Sequence, residues 1–104
     1  MNFSKVTRDD KSCTVSIRVG GRLEVRNRNT LKLKVLSETE KGAGGFLFRF
    51  DLSRTVHMDS SGIGMLMALK REIGEAQGKC EFFGIKGDLK NFLQDVGLLD
   101  TLLS

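Results

Sequence analysis

Proline, tryptophan and tyrosine are all absent from the 104 residues. With no proline, nothing reads as a rigid polyproline spacer between domains. With no Trp or Tyr, the best platforms for stacking nucleic-acid bases are missing, and most of the seven Phe fall in core-like patterns. Histidine occurs once and cysteine twice, which leaves no cluster of metal-ligating residues and no disulfide framework. Long apolar runs are lacking too. Ser60–Leu69, the charge-free stretch near the middle, provides about two helical turns of apolar residues, against the ~20 residues that span a bilayer. The opening MNFSKVTRDD has no apolar signal region, so the expected location is the cytoplasm, with both thiols reduced.

What is present is enough apolar residue, 39%, to exclude a disordered chain, in a length that suits one domain over 1–104. Seventeen Lys+Arg against thirteen Asp+Glu give a net charge of +4. The surplus is uneven: residues 1–41 hold ten basic and five acidic side chains, and residues 42–104 hold seven and eight. A basic first part admits one candidate class, a nucleic-acid binder using residues 18–34. The positive surplus equally suits a surface that meets an acidic protein partner.

The hydrophobic pattern implies alternating strands and helices. In Cys13–Val19, Val15, Ile17 and Val19 alternate with polar residues, as in a half-buried strand. A weaker strand over Asn2–Arg8 makes a hairpin with it, and Gly20-Gly21 is expected to turn the chain. Leu31, Val35 and Leu36 have helical spacing within 27–41, and the glycines of 42–45 end that helix. Phe46–Leu52, nearly all apolar, reads as a central strand buried on both faces. Further elements are a helix over Ser61–Gln77, a strand over Cys80–Ile85, a helix over Asp88–Val96 and an apolar turn or short helix over Leu98–Leu103. The order β-β-α-β-α-β-α predicts an α/β fold: a mixed sheet of about four to five strands with helices mainly on one face.

The chemistry concentrates at Asp59-Ser60-Ser61-Gly62, where a strand and loop lead into a helix. Asp and Ser at that place cap the free amides of a helix start, and Gly62 permits close packing. Two adjacent hydroxyls at the positive end of a helix also suit an added phosphate. Along the helix, Gly62, Leu66, Leu69, Ile73 and Ala76 form the core stripe. Met67 lies opposite it and Ile63 on its flank, so Ile63 and Met67 are expected to form an apolar docking ridge one turn from Ser60.

FDLSRTVHMDSSGIGMLMALKREI, the β-β-α pattern before it and KCEFFGIKGDLKNFLQDVGLLDTLL after it together resemble the STAS domain, and within it the single-domain bacterial anti-sigma-factor antagonists. The resemblance covers essentially the whole chain. It is most specific at Asp59–Gly64 after Asp51-Leu52-Ser53, with Val96-Gly97-Leu98 downstream. It implies a partner switch and not an enzyme. The unphosphorylated form binds an anti-sigma factor that is also a serine kinase of the histidine-kinase-like ATPase type, freeing that factor's client. Phosphorylation of Ser60 ends the binding, and a PP2C-type phosphatase resets it. Asp59, Ser61 and Gly62 support the phosphosite, and Ile63, Met67, Lys70, Arg22 and Glu24 are the expected partner-binding residues. No cofactor belongs to this chain, since the ATP is the partner's, and neither membrane nor specific nucleic acid is an expected partner. The chain departs from the family at Gly21-Arg22-Leu23-Glu24, where an Asp often stands in place of the Glu. The alternative from the same family is a constitutive scaffold or transporter-associated subunit outside any kinase's reach.

Other motifs are weaker. Gly74–Cys80 resembles a phosphate loop, but it is one residue short and follows a helix where a strand is required. His57 has no second ligand type nearby, and Cys13 and Cys80 read as small strand residues. Asp51 and Asp59 are a nominal carboxylate pair of unknown separation.

Overall fold

The computed structural model describes residues 3–23 and 28–103. Glu24, expected at the partner surface, and the basic Val25–Asn27 stretch lie outside the described residues. Four strands form one mixed sheet in the order β1-β2-β3-β4: β1 Phe3–Asp9, β2 Thr14–Leu23, β3 Leu47–Met58 and β4 Lys79–Phe83. β1 and β2 are an antiparallel hairpin, while β3 runs parallel to both β2 and β4. Parallel neighbours need crossovers. These are α1, Arg28–Glu40, and α2, Ser60–Glu75, and after β4 come α3, Gly87–Asp95, and the short α4, Leu99–Leu103.

The sheet is covered on one side. Val15, Ile17 and Val19 of β2 and Phe48, Phe50 and Leu52 of β3 are buried, while Ser16, Arg18 and Arg49 between them are exposed. The buried face meets Leu31 and Val35 of α1, Leu66, Leu69 and Ile73 of α2, and Leu89 and Leu93 of α3 in one core. This corrects the expectation of two-sided burial for Phe46–Leu52. The run FLFRFDL is alternating in three dimensions, with Arg49 and Asp51 on the open face. There the Arg49 guanidinium pairs with Glu81 and lies 4.7 Å from the Phe83 ring centre.

A second correction concerns Gly20-Gly21. They do not end the strand; β2 runs through them to Leu23, and β3 runs alongside to Met58, six residues beyond the predicted end. The ladder between β2 and β3 shifts register between Arg18 and Gly20 and again between Gly21 and Arg22. At the first shift Val19 has no partner across the ladder. Buried Thr55 donates its hydroxyl to the Val19 carbonyl at 2.7 Å, tying β3 to β2 at the bulge.

Arg8 secures the hairpin to the helix layer. Its guanidinium donates to the carbonyl oxygens of Glu38, at 3.2 Å, and Gly42, at 2.9 Å, and stands 4.2 Å from the Phe46 ring centre. The buried Glu38 carboxylate is held between Arg8 at 3.4 Å and Lys41 at 2.9 Å.

Candidate functional site

The paired ends of β2 and β3 deliver Asp59 to the start of α2. The Asp59 backbone N–H donates to the Leu23 carbonyl at 3.2 Å, so the last residue of β2 fixes the strand-to-helix joint. Asp59 has extended φ/ψ of −90° and 179° and serves as the N-cap. Its Oδ1 accepts from the Gly62 N–H at 2.8 Å and from the Ser61 hydroxyl at 2.6 Å. The helix ladder begins with the Ile63 N–H on the Asp59 carbonyl at 3.1 Å. Gly62 faces β2 so closely that a Cβ there would overlap the Leu23 carbonyl oxygen and stand 3.1 Å from Leu23 Cγ. Only glycine permits this approach.

The two serines are thereby sorted. Ser61 directs its hydroxyl onto the capping carboxylate and is half-buried, whereas Ser60, the first helical residue, is exposed. At about 100° per residue, Ser60, Gly64, Met67 and Arg71 share one face of α2. Ser60, Gly64 and Arg71 are exposed and Met67 is half-buried. Ile63 does not belong to this face. It is only 4% exposed and packs in the core, so the expected Ile63–Met67 ridge reduces to Met67. The flank position that a helical wheel assigns to Ile63 lies in the core. Gly64 and Arg71 were missed by the sequence reading, although their i+4 and i+11 spacing from Ser60 is the signal that places them beside it.

Lys70 faces elsewhere. Its charge acts on Cys80 of β4, where it opposes the burial that pushes the thiol up to about 12. Arg22 is exposed on β2, in register with His57 of β3 and adjacent in sequence to the Leu23 carbonyl that receives Asp59. The expected partner-binding residues therefore fall on two sides: Arg22 and Met67 near the joint, Lys70 toward β4. Between α1 and α2 runs a groove of about 280 Å³, lined by Asn29, Lys32, Ser61 and Glu72 together with Gly64 and Ala68.

Asp51 and Asp59 are not a catalytic pair. Eight residues of mostly extended chain at ~3.3 Å each put them roughly 25 Å apart. The Asp51 carboxyl is held below its usual range by hydrogen bonds from the Ser53 hydroxyl and from the Ser53 N–H at 2.9 Å, with smaller help from Arg18 and Arg54. No group of three His, Cys, Asp or Glu residues suited to a metal ion occurs among the described residues. Nor is any helix among them long and apolar enough to cross a membrane. What the site offers chemically is a solvent-facing hydroxyl at a capped helix start.

Residues 4–103 match the family model of the STAS domain. The chain belongs to the STAS domain family. Among curated proteins, this STAS chain is 26% identical over 102 residues to the anti-sigma-B factor antagonist of Listeria monocytogenes serovar 1/2a, a match covering 98% of the chain and 88% of the relative. Its fold is similar to that of the anti-sigma factor antagonist SpoIIAA in its unphosphorylated form, with a TM-score of 0.69 at 20% identity over 88% of this chain and 82% of that one. The Bacillus cell fate determinant SpoIIAA in the phosphorylated form gives a TM-score of 0.70 at 20% identity, over 98% of this chain and 89% of that one. The four-stranded mixed sheet with its helices on one face is thus the STAS fold.

Proposed function

We propose that this chain is an anti-sigma-factor antagonist whose binding ends when Ser60 is phosphorylated. The observation that carries the reading is the sorting of the two serines: Ser60 is exposed at the first position of α2, while the Ser61 hydroxyl is engaged by Asp59. The curated Listeria relative bears the antagonist's name, and the fold resembles SpoIIAA in both its unphosphorylated and its phosphorylated forms. A fold of this kind fits a switch that works without refolding.

In this reading the unphosphorylated chain docks an anti-sigma factor through the face of α2 that carries Ser60, Gly64, Met67 and Arg71, with Arg22 beside it. The partner is a serine kinase with a histidine-kinase-like ATPase fold; it supplies the ATP, and a PP2C-type phosphatase restores the hydroxyl. A phosphoserine brings about −1.5 to −2 charges. At the helix start that charge meets the favourable end of the dipole and leaves the fold in place. Inside an interface, beside the Asp59 carboxylate, it adds repulsion and desolvation. A loss of about 2.7 kcal/mol weakens binding roughly a hundredfold, which is enough for a switch.

The test uses the ATP-hydrolysing protein captured with the chain from its own cell and then purified. Ser60→Ala is expected to bind it and to take up no phosphate, while Ser61→Ala is still phosphorylated. Ser60→Asp is expected to bind at least tenfold more weakly by calorimetry. Stoichiometric phosphorylation of Ser60→Ala would refute the assignment.

A further inference from the structure

The groove between α1 and α2 opens beside the exposed serine. β2, β3 and β4 are parallel to one another, so α1 and α2, which join them in turn, both run back against the strands and lie side by side in the same direction. Their starts sit at one end of the sheet, because the ends of β2 and β3 pair at Leu23↔Met58 and each helix begins soon after that pair. Lys32 stands one turn into α1 and Gly64 one turn into α2, and both line the groove with Asn29 and Ser61. Gly64 shares a face of α2 with Ser60, and such i,i+4 positions are about 5–6 Å apart. Lys32 therefore flanks the groove at the level of the exposed hydroxyl.

Lys32 is exposed, and its ammonium makes no ion pair or hydrogen bond among the described residues. The positions three and four residues to either side of it are Arg28, Asn29, Val35 and Leu36, none of them acidic. Glu72, the other charged residue of the groove, is remote from this end, at about 18 Å along α2 from Ser60. The Asp59 carboxylate is turned onto the Gly62 N–H and the Ser61 hydroxyl. Of the other cations, Arg71 lies about 16 Å along α2 from Ser60, and Arg22 is engaged in an interaction of its own. Lys32 is thus the cation placed to meet negative charge added at Ser60.

We propose that Lys32 is a positioning residue for a phosphate on Ser60: its ammonium reaches across the groove to the phosphate oxygens and fastens the start of α2 to α1. The inference deepens the proposed switch and rests on that reading. A lysine suits the task, as a point charge with rotatable donors on a flexible stem, and a phosphoserine offers it three acceptor oxygens. The pairing draws the added charge toward α1 and away from the Asp59 carboxylate, so the phosphorylated start of α2 is held by a contact that the unphosphorylated chain lacks.

The test needs no kinase. Phosphoserine is placed at position 60 of the full chain by a recoded stop codon, and its ³¹P resonance is followed through the second ionisation, which lies near pH ~6 in a free phosphoserine. The midpoint is expected below that value. Lys32→Gln should raise it by about 0.2–0.7 pH units, the range for one partly exposed ion pair. Lys32→Arg should keep it near the wild-type value, and Lys90→Gln, which removes an equal charge from the exposed side of α3, should leave it unchanged. His57, the single histidine, titrates in the same range but is common to all four proteins. Equal midpoints in wild type and Lys32→Gln, or an equal rise in Lys90→Gln, would overturn the proposal. Because the phosphate is installed synthetically, that failure is separate from a failure of the captured ATP-hydrolysing protein to phosphorylate Ser60.

Discussion

Asp59, Ser60, Ser61 and Gly62 are four neighbours with four different environments. Local chemistry identifies the tetrapeptide as a helix start, since Asp and Ser cap orphan amides in any fold. It does not sort the serines. That follows from where the Asp59 carboxylate points: onto the Gly62 amide and the Ser61 hydroxyl, with Ser60 left on the outer face. Gly62 is also more than a permissive cap residue, because the end of β2 lies against it. Gly62→Ala is expected to lower stability by about 1–3 kcal/mol, since backbone and not a pliable side chain meets the added methyl. Urea unfolding followed by circular dichroism measures this, and a midpoint equal to the wild type would mean that Leu23 yields without cost. Ile63 shows the limit of the helical wheel. Its angle is on the flank, and only the packing of the core around α2 decides that the flank is buried.

Elements were legible wherever their signal is local. The Val15–Val19 alternation, the helical spacing of Leu31 and Val35, and the apolar stripe of α2 all appear in their elements as read. Both strand ends were misjudged, and for a common reason. Gly20-Gly21 looks like a turn and Ser53-Arg54-Thr55-Val56-His57 looks like a polar loop, yet each is the partner that keeps the other extended. Strand pairing across thirty residues leaves no trace in either segment alone. The buried Thr55 hydroxyl is the side-chain device that permits the bulge. Thr55→Val keeps the shape and removes the hydroxyl that the Val19 carbonyl accepts from. The expected loss is about 1–3 kcal/mol by chemical denaturation. A neutral result would show that the carbonyl finds another donor.

At the scale of the whole molecule, the one-sided helix layer leaves a sheet face open, and charged side chains lie on it. Arg18, Arg49 and Asp51 share the uncovered face of the sheet, with Arg18 within 4.0 Å of Asp51. Hydrogen bonds from Ser53 hold Asp51 below its ordinary value of 3.8. A carboxyl with a depressed folded-state pKa contributes stability that is present above the unfolded value and is lost as pH falls through the folded one. Unfolding free energy should therefore decline as pH falls below the ordinary Asp value of 3.8, and Asp51→Asn should flatten part of that decline. Urea titrations at stepped pH check it; identical acid limbs for the two proteins would remove Asp51 from the account.

The sequence by itself determined the α/β class, the alternation of elements after an opening hairpin, and the position of the one chemically distinctive helix start. Each of these rests on periodicity and capping, which act between residues close in the chain. Tertiary structure alone decided that the sheet is covered on one face, that β2 and β3 run together as far as Leu23 and Met58, that Ile63 is core, and that Ser60 and not Ser61 faces solvent. These depend on which backbone lies beside which, and burial and hydrogen bonding between distant segments cannot be read before the segments are brought together.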